Sequence, residues 1–124
     1  MAATLLNHDE ITGLVALAYE LITAGDPGSG QQMLAKLSTL YPHNQAIEAG
    51  LALSFIVCDA FAAGDKILEP WLNSDEVFDE TIGIAALSQA LQGNVSEAEA
   101  LGAKIKDAQN PAQAFITNIL AAKR

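Results

Sequence analysis

Few side chains in this sequence could do chemistry, and the run Gly25-Asp26-Pro27-Gly28-Ser29-Gly30 is the first to weigh. A glycine-rich loop ahead of a helix can cradle phosphate, but the motif also needs lysine and then serine or threonine after its last glycine. Gln31 and Gln32 stand there instead, so the run reads as a turn. His8 and His43 have no carboxylate or thiol at metal-ligand spacing, and His43, behind Pro42, belongs to a solvent-exposed turn. Cys58 lies in an apolar run with Phe55 and Val57 and reads as a small buried hydrophobe. Asp75, Glu76, Asp79 and Glu80 form an acidic run at a helix start, where the helix dipole favours carboxylates. The spacing of a calcium loop is absent. No catalytic, cofactor or metal site emerges, and an enzyme is the class least favoured.

Composition narrows the rest. The chain has 124 residues, enough for one domain over 1–124. Hydrophobic residues make up 51% and aromatics only 6%, with twenty-three alanines against four prolines. That mix favours helix over strand and predicts an all-α protein. Six Lys and Arg against fifteen Asp and Glu give a net charge of -9, so nucleic acid and anionic membrane would be repelled. A single cysteine excludes an internal disulfide and suits a reducing compartment. The start lacks the positive region of a secretory signal. The longest apolar stretch, residues 49–58, is half of the roughly twenty residues a spanning helix needs. A cytoplasmic protein is expected. Its mean hydropathy is nevertheless positive, which fits either an alanine-rich core or an apolar groove that a partner covers.

The elements are helices. Leu14, Leu17, Ala18, Leu21 and Ile22 share one helical face, as do Leu34, Leu37 and Leu40. Breaks are expected near residues 25–28, 42–44, 59–62, 73–74, 93–95 and 109–111. Ser96 with Glu99 reads as a capping box, and Asn110 before Pro111 as the start of a last helix. Pro70 should kink its helix, or end it and restart it around Trp71.

Shifting the sequence by thirty-four residues, twice, brings like residues together. Ala18 falls on Ala52 and Ala86, Gly25 on Asp59 and Gly93, Gly30 on Gly64 and Ala98, and Leu37 on Trp71 and Ile105. Small residues recur where two helices would cross closely, with large ones filling the space beside them.

The stretch 11–44 resembles the tetratricopeptide repeat over its whole length. Large apolar residues stand at Leu14, Leu17, Leu21, Leu34 and Leu37, small ones at Ala18, Gly25 and Gly30, and the closing proline is Pro42. The second repeat, 45–78, departs at Glu48 and lacks the proline; the third, 79–110, has Gly102 where a large residue belongs. The resemblance implies a right-handed solenoid of three helix pairs, closed by a capping helix over 111–122.

In that family the first helix of each pair lines a concave face. Carried over by position, the lining is Thr12, Val15, Tyr19, Ile22 and Thr23; Ala46, Ala49, Leu53, Ile56 and Val57; and Glu80, Gly83, Leu87, Ala90 and Leu91. The strongest groove candidates are Val15, Tyr19, Ile22, Leu53, Ile56, Val57, Leu87 and Leu91, with Tyr19 the least needed by the core. Members that bind acidic chaperone tails carry lysine and asparagine where Val15 and Tyr19 stand here. An apolar groove fits an amphipathic helix instead. In length, acidity and repeat number the chain is similar to the small bacterial co-chaperones of type III secretion needle subunits. That likeness implies a cytoplasmic chaperone holding the needle subunit's C-terminal helix, often beside a second small chaperone, and preventing polymerisation. Two other readings remain: a scaffold adaptor that binds a peptide, and a protein that forms a homodimer through the same face.

Overall fold

A computed structural model gives the fold of residues 6–106. Six helices follow in order: α1 (His8–Thr23), α2 (Pro27–Leu40), α3 (Gln45–Ile56), α4 (Phe61–Leu72), α5 (Asp79–Leu91) and α6 (Val95–Gly102). No strand occurs among the described residues, and the class is all-α. Each odd helix packs on the even one after it, giving three hairpins. α2 joins the first hairpin to α3, α4 joins the second to α5, and α3 touches both α1 and α5. The final helix expected over 111–122, with its Asn110 cap, lies outside the described residues.

The turns inside the hairpins recur in register. Gly25, Asp59 and Gly93 have φ of 101°, 64° and 86°. This left-handed region suits glycine, and aspartate is among the few side chains that tolerate it. The next amide in each turn reaches back five residues: Asp26 to Leu21 at 2.8 Å, Ala60 to Phe55 at 2.9 Å and Asn94 to Gln89 at 2.8 Å. Each such bond satisfies a carbonyl that the ending helix would leave unpaired.

Close packing is confined to the small positions. A Cβ on Gly30 would stand 2.7 Å from Ile22 Cγ1 and 2.8 Å from the Ala18 carbonyl oxygen. A Cβ on Gly64 would stand 2.6 Å from Ile56 Cγ1 and 3.0 Å from the Ala52 carbonyl oxygen. Ala18, Ala52, Ala86 and Ala98 are fully buried, and Leu34, Ile47, Ile56 and Leu68 fill the core around them. Polar groups at the junctions also recur. Gln31 Nε2 donates to the buried Ser54 hydroxyl at 3.3 Å. One repeat on, the buried Ser88 hydroxyl donates to Asp65 Oδ1 at 2.6 Å.

Two expectations need correction. The capping box is Asn7 with Glu10, whose reciprocal bonds measure 2.8 and 2.9 Å. Ser96 caps nothing, because α6 starts one residue before it, behind Asn94. α4 runs through Pro70 and stops at Leu72 without restarting. Pro70 falls in the last turn and the residue whose carbonyl it deprives, Lys66, is exposed, so water can take over that bond. The departure at Glu48 has a local cause: its carboxylate accepts the Trp71 indole N–H at 3.0 Å. Leu14 and Leu37 occupy the same two positions one repeat earlier.

Candidate partner-binding site

The middle of α1, the N-terminal half of α3 and the start of α5 converge on an open concavity of about 420 Å³. Thr12, Val15, Ala16 and Tyr19 line it from α1, Ala46 and Ala49 from α3, and Phe78, Glu80 and Thr81 from the entrance to α5. A second concavity of about 370 Å³ shares Thr12, Val15, Ala46 and Phe78, and adds His8, Ile11, His43, Asn44, Gln45, Trp71 and Glu76. The two run into each other as one trough, with Phe78 common to both. The inner part is walled by methyl groups and two rings; the outer part is more polar.

Gln45 holds the far wall in place. It is buried, and its Oε1 accepts from the Phe78 amide and the Thr81 hydroxyl, both at 2.7 Å. Its Nε2 donates to the Glu76 carbonyl at 3.1 Å. The six-residue connection between α4 and α5 is thereby pinned to α3, which leaves Phe78 49% exposed at the trough.

The eight groove candidates divide. Val15 and Tyr19 line the trough. Ile22 and Ile56 do not: they are buried against Gly30 and Gly64, at the hairpin crossings. Leu53 and Leu87 are buried in the core, at 8% and 7% exposure. Val57 and Leu91 are exposed, but they sit at the C-terminal ends of α3 and α5, whereas the trough lies at the N-terminal ends. Of the other carried-over positions, Thr12, Ala46, Ala49 and Glu80 also line the trough.

Tyr19 is also more structural than expected. Its ring packs on Gly50, where an added Cβ would stand 2.5 Å from Cε1, and its hydroxyl donates to the Ala46 carbonyl at 3.2 Å. Burial first, and the Glu80 carboxylate second, push that hydroxyl up from 10.0 to about 12. Ala16, Phe78 and Thr81 were not foreseen. Phe78 did carry a signal: it is a large apolar residue just ahead of the acidic start of α5.

The remaining chemistry is sparse. Cys58 is exposed, contrary to expectation, because α3 ends at Ile56 and the thiol falls in the turn that Asp59 closes. The glycine-rich run opens α2, with the Asp26 carboxylate capping the Ser29 amide at 3.2 Å and Gly30 buried under Ile22. His43 is exposed, in a turn with φ of 63°. Among the described residues no group of three or more His, Cys, Asp and Glu could hold a metal ion. No helix among them is long and apolar enough to cross a membrane.

Compared with known proteins, the sequence matches no family model and no curated protein.

Proposed function

We propose that the chain is a tetratricopeptide-like solenoid, right-handed and built of three helix pairs, that acts as a non-enzymatic chaperone. Its trough holds an amphipathic helix of a partner protein, apolar face down. The recurrence of the left-handed turn at 25, 59 and 93 supports the repeat. The observation that carries the binding role is the half-exposed Phe78, which lines the trough together with Val15, Ala16, Ala46 and Ala49. The resemblance in length, acidity and repeat number then favours the needle subunit of a type III secretion system, kept soluble and unpolymerised in the bacterial cytoplasm.

The test is co-expression with the needle subunit of the same bacterium. Wild type should yield a soluble complex that purifies intact. Phe78→Ser removes the ring while leaving a favoured N-cap residue at the start of α5, so its helical circular dichroism should be unchanged. Burying a side chain of this kind contributes about 1.5–3 kcal/mol, and 1.4 kcal/mol is a factor of ten in affinity. The variant should therefore bind at least about tenfold more weakly. Equal capture by wild type and variant would sink the trough as the binding site.

A further inference from the structure

The trough has a sign as well as a shape. Among the described residues its lining includes two carboxylates, Glu76 in the outer part and Glu80 in the inner part, and neither a lysine nor an arginine. They sit two residues to either side of Phe78, one before and one after the ring in common. The only basic side chains among the described lining residues are His8 and His43, both in the outer part. The whole chain adds to the same field, at -9. We propose that the trough selects an amphipathic helix whose apolar face is bordered by lysine or arginine, and that Glu76 and Glu80 read that charge. This rests on the helix-holding reading above and goes further by naming the partner's chemistry.

Placement makes the two acids effective. A carboxylate beside a ring that a partner covers loses part of its water, so a pairing there gains more than one on an open surface. Glu80 already acts inside the trough, since its charge is felt at the Tyr19 hydroxyl. A partner bordered by Asp or Glu would instead bring like charges together at both ends of the Phe78 contact, which disfavours it. The long-range field speeds encounter with a basic partner, and salt screens that attraction within about 8 Å at physiological strength.

Three synthetic helices test this, with one leucine-and-alanine face and border positions of lysine, glutamine or glutamate. Fluorescence anisotropy against the whole chain gives their affinities at low salt and near 0.15 M. The lysine peptide should bind about fivefold tighter than the glutamine one at low salt, and the glutamate peptide weakest, with the spread narrowing as salt rises. In the Glu76→Gln/Glu80→Gln variant the lysine peptide should fall to the level of the glutamine one. Equal binding of all three overturns the charge inference and leaves the apolar trough standing. An undiminished lysine preference in the variant overturns the role of these two residues, placing the effect in net charge alone. No binding of any peptide overturns the helix-holding reading with it.

Discussion

The first two hairpins and the third solve the same packing problem in opposite ways. In the first two, isoleucine (Ile22, Ile56) closes over glycine (Gly30, Gly64). In the third, the same positions hold Ala90 and Ala98, both essentially fully buried. The volume at the crossing is shared out differently: large over nothing in two cases, small over small in the third. Both solutions fill the crossing without a cavity or a clash, the large side chain facing no Cβ in one and two methyls meeting in the other.

The comparison breaks most forcefully at the second hairpin. Ile56→Ala should cost about 2–5 kcal/mol by opening a cavity, and Gly64→Ala about 1–3 kcal/mol by overpacking. Made together, they copy the third hairpin. In the Ile56→Ala background, Gly64→Ala should be neutral or stabilising, helped by the better helix propensity of alanine. Urea unfolding of the four proteins measures the coupling, and strictly additive costs would refute the exchange of volume. The same cycle on Ile22 and Gly30 should couple less. There the carbonyl oxygen of Ala18 stands only 2.8 Å from the new Cβ, and a backbone atom does not retreat when Ile22 is trimmed.

What the sequence revealed follows from how local each constraint is. The hairpin turns were legible because a left-handed residue tolerates so few side chains, and Gly25, Asp59 and Gly93 announce it. The small crossing positions were legible for the same reason. The trough was only half legible. Positions in the middle of α1 and near the start of α3 do line it, but whether Ile22 faces a partner or its own hairpin depends on how far each helix rolls, which spacing alone does not fix. Gln45 was invisible as a clamp, since its partners lie 31 to 36 residues away and include two backbone groups. Ser96 with Glu99 had the right spacing for a cap, but Asn94 starts the helix earlier.

The two hairpin junctions give a smaller contrast. Ser54 meets a neutral Gln31 at 3.3 Å, whereas Ser88 meets the Asp65 carboxylate at 2.6 Å. A bond to a charged group contributes roughly 1.5–3 kcal/mol and a neutral one about 0.5–1.5 kcal/mol. Ser88→Ala should thus lower the urea midpoint more than Ser54→Ala. Gln92 Nε2 also donates to Asp65, at 3.1 Å, and keeps that carboxylate from losing all its partners. If Ser54→Ala proves the costlier of the two, the charge at Asp65 contributes nothing to the junction.

The smallest effect separates the first repeat from its neighbours at the position of Tyr19, which Leu53 and Leu87 occupy one and two repeats on. Tyr19 sets a large ring on Gly50; one repeat on, the same two positions hold Leu53 and Ile84, both buried. Only the tyrosine titrates. Its hydroxyl is held up at about 12, above its ordinary 10.0, because burial and the Glu80 charge disfavour the anion. The fold thus prefers the neutral phenol, and this contribution is complete below pH 10. It declines as pH rises from about 10, where the unfolded chain ionises, and is gone by about 12, where the folded chain does too. Tyr19→Phe keeps the ring on Gly50 and removes both the hydroxyl and the titration. Near neutral pH it should cost about 0.5–1.5 kcal/mol for the lost bond to Ala46. Between pH 10 and 12, urea midpoints of the variant should fall less steeply than those of wild type, so that the two curves approach each other. Parallel curves through that window would mean the hydroxyl meets solvent freely, and that the trough wall is looser at Tyr19 than its packing on Gly50 implies.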